Sequence, residues 1–424
     1  MRVKKKNWHR NISRQHRDGR GKAGWKRLLR LLFAPLRNMS NILGLKSGIK
    51  NIFFSLLETL APLLSRSNKP VAHAEVRKIL VAEGGGIGDL IRVFPAIECL
   101  KENFPGASLS VLASPEAKEI LSLFSKKDII SEVLDYDLKV MHHGFLRKFR
   151  LVSAVRKRHF DLIYAPDRGE GMREEILMNF LTGVPHRIGF QKGRAGSLNT
   201  IKTELNEKTS IGKQNLDILR NAGLRVTNEE INLSIPEKDI LGAKLLMQQH
   251  THEIACPFII IHPGASWNAG YRCWPLENYI SLIQRLAKEL RQKIIIIGNK
   301  GDCETGERIL KEVEIPSVIS VMGRTTLAQM AALIKLSSLF VGNDSGPLHI
   351  ALALKTPSVA IFGSTSPEQV IGQQERCVVV RKNLPCAPCY VHQYDYRPDC
   401  KDFRCLNEIS VDEVFHAVKQ TLSV

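Results

Sequence analysis

Leu339-Phe-Val-Gly-Asn-Asp-Ser-Gly-Pro-Leu-His349 reads as a short buried strand that runs into a tight turn and opens a helix through Ile350 to Leu354. Asn343, Asp344, Ser345 and Gly346 fall where that helix begins. Such a junction presents backbone N–H groups without intrahelical partners and the positive end of the helix dipole, which favours an anion such as a phosphate. Gly346 lets the backbone approach closely. Asp344 or Ser345 serving only as an N-cap accounts for the same residues, so the flanking chain has to decide.

The flanking chain repeats the strand–turn–helix pattern. The chain crosses over around Pro236, and 239–250 reads as a helix. Residues 257–262 form a strand and 263–266 the turn at its carboxyl end. Then follow a helix at 276–290, a strand at 293–298, a helix at 306–313, a strand at 318–322 and a helix at 326–336. Residues 356–362 read as the last strand, ending in Gly363-Ser364-Thr365. Ligands of such doubly wound sheets bind beyond the carboxyl ends of the strands. His262, Gly264, Gly298, Asp302, Gly323, Asp344, Ser345 and Ser364 all fall there, which implies one nucleotide-like ligand.

The same alternation starts earlier with a strand at 78–82 and the turn Glu83-Gly84-Gly85-Gly86-Ile87-Gly88-Asp89. A helix follows from Leu90 to Leu100 with a kink at Pro95, and its glycines are expected to let a ligand near the backbone. The Gly-x-Gly-x-x-Gly spacing of a dinucleotide site is not met. Further strands read at 108–113, 160–165 and 187–190. The basic, flexible loop 191–197 suits either an anionic acceptor or plain solvent.

A chain of 424 residues with 44% hydrophobic content suggests two or three domains with real cores. The net charge is +19, of which +15 lies in the first 70 residues, leaving a nearly neutral body. That distribution speaks against a nucleic-acid enzyme with a basic groove and for an arm that meets an anionic surface. Residues 1–30 are Lys/Arg-rich. From Ile42 to Leu64, apolar residues recur at helical spacing, with no run long enough to span a bilayer and no signal-peptide core. A helix lying in the plane of an anionic membrane fits; so does a helix packed on the body or on a partner. The divisions expected are an extension and linker at 1–75, a first domain at 76–235 and a second at 236–424.

These residues carry a resemblance. Gly-Gly-Ile-Gly-Asp-Leu at 85–90 with Phe-Pro-Ala-Ile at 94–97, His-Pro-Gly-Ala at 262–265, Arg-x-Trp-Pro at 272–275, Gly-Asn-Asp-Ser-Gly-Pro-Leu-His at 342–349 and Phe-Gly-Ser-Thr-Ser-Pro at 362–367 look like glycosyltransferase family 9, the lipopolysaccharide heptosyltransferases and their relatives. The resemblance covers about residues 76–422. It implies an α/β fold of GT-B type, with two Rossmann-like domains and the active site in the cleft between them. It implies an inverting transfer that needs no metal or other cofactor, from a nucleotide sugar, typically ADP-heptose, onto a lipid-linked core glycan. The expected location is the cytoplasm, at the inner face of the cytoplasmic membrane, reached through the arm.

Glycosyl transfer needs a base for the acceptor hydroxyl and a means of holding the leaving diphosphate. The resemblance makes Asp89 the base, although an N-cap role accounts for it too. Arg272 stands where the family often has Lys; a guanidinium still neutralises diphosphate, with different geometry. Asp344 would orient the donor sugar, and the N–H groups of Ser345 and Gly346 would cradle phosphate. His349 would hydrogen-bond phosphate or pack the helix, and Asp302 would reach ribose hydroxyls. His262, Gly264, Ser266 and Gly323 complete the donor set, while Trp274 reads as core or wall. A final helix at 410–422 would cross back onto the first domain, as in other GT-B proteins. An epimerase or dehydrogenase of similar layering is disfavoured by the paired motifs, and a silent scaffold by the intact Asp89 and Asp344.

Five of the nine cysteines (Cys99, Cys256, Cys273, Cys303 and Cys377) are scattered and read as reduced. Cys386, Cys389, Cys400 and Cys405 form a closer set whose spacing is compatible with a structural zinc, with disulfides or with free thiols.

Overall fold

The structure, a computed structural model, describes residues 59, 71, 76–136, 145–166, 172–191, 193–206, 208–251, 257–265, 270–389 and 400–423. Apart from Thr59, the basic arm and its amphipathic segment lie outside the described residues. Residues 1–60 separate from a unit of residues 61–424 that holds both sheets.

The first sheet contains β1 (Lys78–Glu83), β2 (Ser108–Ala113), β3 (Ile130–Asp135), β4 (Leu162–Ala165), β5 (His186–Gln191) and β6 (Ile201–Glu204), all parallel, in the order β3-β2-β1-β4-β5-β6. The second contains β7 (Phe258–His262), β8 (Lys293–Ile296), β9 (Val318–Ser320), β10 (Leu339–Asn343), β11 (Ser358–Ile361) and β12 (Cys377–Val380), in the order β12-β11-β10-β7-β8-β9. The strand order thus reverses between β1 and β4 in one sheet and between β7 and β10 in the other. Those two crevices are where doubly wound sheets bind ligands. This is the GT-B arrangement of two Rossmann-like sheets.

The longer connecting helices are α1 (Ile87–Ile91), α2 (Phe94–Asn103), α3 (Phe145–Lys157), α4 (Met172–Thr182), α5 (Ile211–Asn221), α6 (Glu237–Thr251), α7 (Leu276–Glu289), α8 (Cys303–Val313), α9 (Leu327–Leu336), α10 (Gly346–Ala353) and α11 (Val411–Leu422). Central strands are apolar on both faces because helices cover both, and Ile259, Ile260 and Ile261 of β7 are fully buried. Each such side chain contributes roughly 1.5–3 kcal/mol. In α7, Tyr279, Ile280, Ile283, Leu286 and Ala287 recur at helical spacing and join the core beside the second sheet.

Four expectations are corrected. The helix from Leu90 to Leu100 is two helices, α1 and α2. Pro95 lies in the first turn of α2, where its missing N–H costs nothing, so it starts a helix rather than kinking one. Residues 356–362 do not hold the last strand, because β12 follows on the sheet edge. β3 and β6, also edge strands, were not anticipated; their exposed polar residues, as in Ile-Lys-Thr-Glu of β6, break the apolar run. Finally, α11 does not cross to the first sheet. Its Val414, Phe415, Ala417 and Val418 join the second sheet's core, and Arg285 of α7 lies 4.1 Å over the Phe415 ring and pairs with Asp412.

Candidate active site

β7 and β10 lie side by side with Gly342 opposite His262, so their carboxyl ends open on one crevice. Asn343, at the end of β10, is fully buried. Its Nδ2 donates to the carbonyls of Pro263 (2.8 Å) and Gly264 (3.2 Å). Its Oδ1 accepts from the Trp274 N–H (3.1 Å) and the Tyr279 hydroxyl (2.9 Å). One amide therefore ties the loop after β7 and the Arg-x-Trp-Pro turn to β10. Burial holds the Tyr279 phenol far above its usual range, which keeps it protonated as a donor. Trp274 is core: its indole N–H donates to the Ile409 carbonyl at 3.0 Å.

The next residue, Asp344, is 3% exposed at its side chain. Its Oδ2 accepts from the Thr365 hydroxyl at 2.8 Å and lies 3.4 Å from Nη1 of Arg272, which is 18% exposed. Ser345 occupies the N-cap position of α10, but its hydroxyl makes no capping bond; it lies 3.1 Å from Nδ1 of His262 instead. The N-cap alternative thus fails for the Ser345 hydroxyl, and the Ser345 and Gly346 N–H groups stand ahead of the first intrahelical bond, which the Leu348 N–H makes to the Ser345 carbonyl at 3.1 Å. Burial pushes the His262 imidazole down to about 4, so it is neutral at neutral pH.

Asp302 closes the far side of the crevice. Its Oδ2 accepts from the Asn299 N–H at 2.8 Å and would lie 3.6 Å from a Cβ at Gly264. Gly323 has φ +68, and a Cβ there would come 3.0 Å from Cα of Lys300; only glycine fits that turn. Ser266 lies outside the described residues.

On the first sheet, Asp89 is the third residue of α1. Its Oδ2 accepts from the Gly86 N–H at 2.8 Å, and its Oδ1 pairs with the guanidinium of Arg92. The capping role is therefore real, yet the carboxylate remains 42% exposed. The glycines of this turn differ from expectation. A side chain on Gly84 would strike Tyr136, one on Gly85 the Asp89 carboxylate, and one on Gly88 the His349 ring. Protein groups, not a ligand, fill those spaces.

His349 brings the two sheets' turns together. Its ring packs on Gly88 of α1, while Ile87 of α1 packs on Gly346 of α10, where a Cβ would lie 3.2 Å from that of Ile87. Burial, with the Arg92 charge, pushes the His349 imidazole down to about 4; Asp344 and Asp89 oppose that shift and Arg272 adds to it. The helix-packing alternative for His349 thus matches its placement. Asp89–Arg92 and Asp344–Arg272 flank this one neutral ring.

The cysteine tail braces the same crevice. The Cys389 N–H donates to the Ser364 carbonyl at 2.9 Å, and Leu406 fills the space beside Gly363. No disulfide joins the described cysteines. Burial, then Cys389, Cys400 and Cys386, pushes the Cys405 thiol up to about 11. Among the described residues no group of three or more His, Cys, Asp or Glu is arranged to hold a metal ion. Within 191–197, Ala195 and Gly196 are buried in the turn Ala195–Leu198, so this part is packed rather than flexible; Gly193 and Arg194 are exposed. Sequence reasoning missed Arg92 and the bracing role of Asn343.

A family model described as "Glycosyltransferase family 9 (heptosyltransferase)" matches residues 149–398. The lipooligosaccharide heptosyltransferase 2 of Campylobacter jejuni is 29% identical over 362 residues, spanning 81% of this chain and 98% of its own. Among solved structures, the family 9 glycosyl transferase from Veillonella parvula aligns with TM-score 0.68 and 18% identity, over 84% of this chain and 99% of that one. The E. coli ADP-heptose lps heptosyltransferase II aligns with TM-score 0.61 and 21% identity, over 82% and 98%. Among the described residues no helix is long and apolar enough to cross a membrane.

Proposed function

Since the chain belongs to glycosyltransferase family 9, we propose that it moves heptose from ADP-heptose onto a lipopolysaccharide or lipooligosaccharide core, with inversion and without a metal. The observation that carries this reading is the Arg272–Asp344 pair at the mouth of the second crevice, set around one buried histidine with Asp89 on the opposite turn. The names of the E. coli and Campylobacter relatives supply the donor and the class of acceptor.

In this reading residues 236–424 hold the donor and residues 76–235 the acceptor. The Asp89 carboxylate takes the proton of the acceptor hydroxyl as that oxygen attacks the anomeric carbon. The bond from that carbon to the diphosphate oxygen breaks on the opposite face, inverting the centre and releasing ADP. Arg272 and the Ser345 and Gly346 N–H groups at the start of α10 neutralise the departing charge. Asp344 orients the sugar, and Asp302 meets the ribose. The basic arm at 1–70 brings the enzyme to the anionic inner face of the cytoplasmic membrane, where a lipid-linked acceptor lies.

The test is a thermal-stability titration of the full chain with ADP, UDP, GDP and their sugars, followed by turnover with ADP-heptose and heptose-deficient lipopolysaccharide. Preferential stabilisation by ADP species, turnover that persists in EDTA, and an inverted anomeric centre by NMR support the proposal. Stabilisation by UDP or GDP species alone overturns the donor. Asp89→Asn should abolish turnover while donor binding stays within about twofold.

A further inference from the structure

Arg92 lies three residues beyond Asp89 and is only 7% exposed. Its guanidinium pairs with Oδ1 of Asp89, and its Nη1 donates to the Val370 carbonyl at 3.2 Å. Val370 ends the short helix Pro367–Val370, directly after the loop whose Thr365 holds Asp344. On its other side, the Arg92 carbonyl accepts from Nδ2 of Asn215 at 3.1 Å, and the Asn215 carbonyl accepts from the Tyr164 hydroxyl at 2.8 Å. Arg92 is thus anchored in the first half and reaches across to the second.

A buried guanidinium is costly unless its charge and its donors are matched. Here the match is a carboxylate whose side chain itself stays 42% exposed. The Nε of Arg92 has no acceptor among the described residues, so the side chain does not reach its full set of hydrogen bonds. A residue serving stability alone would be better matched. What the geometry does secure is the direction of Asp89: one oxygen is gripped by Arg92 and the other by the Gly86 N–H.

We infer that Arg92 is a positioning residue, which aims the Asp89 carboxylate at the acceptor and locks that aim to the second half through Val370. The inference rests on Asp89 being the base. The other titratable groups near Asp89 are Glu83, buried at the end of β1 with its Oε1 accepting from the Gly85 N–H at 2.8 Å, and His349, neutral, with Asp344 and Arg272 beyond it on the second half. From the neighbouring helix Pro115–Lys118, Glu116 and Lys118 are exposed, and Lys118 pairs with Asp135.

The experiment compares wild type, Arg92→Met, Arg92→Lys and Asp89→Asn in the full chain. Turnover of ADP-heptose with heptose-deficient lipopolysaccharide is followed from pH 5 to 9. The carboxyl resonance of Asp89 is titrated in parallel by NMR with labelled aspartate, assigned from Asp89→Asn. Arg92→Met should lower kcat about tenfold with donor KM moved less than about threefold. It should also shift the Asp89 titration and the acid limb of the rate up by about one pH unit. Arg92→Lys, which keeps a cation, should hold both near the wild-type pH. An unmoved Asp89 titration in Arg92→Met overturns the inference while leaving the base reading intact. Activity in Asp89→Asn overturns the base reading itself. Should Arg92→Met not fold, Arg92→Gln carries the same comparison, and the titration needs no particular donor.

Discussion

The His349 ring occupies the space that a side chain on Gly88 would fill: a Cβ there would lie 2.9 Å from Nε2 of the imidazole. These residues sit on helices that follow strands of different sheets, so the clash cannot be relieved within one element. Gly88→Ala should destabilise the protein by about 1–3 kcal/mol through overpacking. His349→Ala in the same chain should recover part of that loss, because it empties the contested space. Chemical denaturation of the two single variants and the double variant checks this; strictly additive effects would count against direct contact.

Stability should fall with pH in a window set by two histidines. Burial holds His262 and His349 near about 4, against an ordinary value of 6.5. Between those values the unfolded chain binds protons that the folded chain refuses. Full stability is present above about pH 6.5 and is lost as the pH falls toward 4, by up to about 1.4 kcal/mol per pH unit for each histidine. Urea midpoints measured from pH 7.5 to 4.5 should show the decline, and His349→Gln should flatten it. A slope identical in that variant would contradict the assignment.

Asn343 satisfies four partners at once, three of them buried. Asn343→Ala should cost about 2–4 kcal/mol, since it strands two carbonyls, an N–H and a phenol. Tyr279→Phe, which removes one bond, should cost about 1 kcal/mol. Unfolding curves for both variants would show the difference, and comparable losses would argue against the brace.

Arg272 should act on the donor. Arg272→Met is expected to reduce kcat/KM for the nucleotide sugar by about a hundredfold or more, by leaving leaving-group charge unmatched. Arg272→Lys should keep a measurable part of the rate, since it retains the charge but loses the planar fork. Steady-state kinetics with the donor varied decides, and an unchanged kcat/KM in Arg272→Met would remove the residue from the site.

The central strands were legible because both their faces are covered, leaving unbroken apolar runs such as Phe258–His262. The edge strands were not, because a half-exposed strand such as β6 carries Lys, Thr and Glu. The motifs at the strand ends were legible as a convergence, since topology alone brings them to one crevice. The partners of each side chain were not. Arg92 finds Val370 across 278 positions of sequence, and no local pattern records such a meeting. The glycine turn shows the same limit: a row of glycines declares that side chains are excluded but not what excludes them, here Tyr136, Asp89 and His349.

The two turns that meet at the crevice interlock reciprocally, Ile87 into the space at Gly346 and His349 into the space at Gly88. Each half supplies one knob and one socket. The halves are therefore not freely exchangeable parts. A chimera that grafts the donor half of one relative onto the acceptor half of another inherits a mismatched joint unless both positions of each pair travel together, so recombination between such proteins is constrained at a seam far from any breakpoint in the chain.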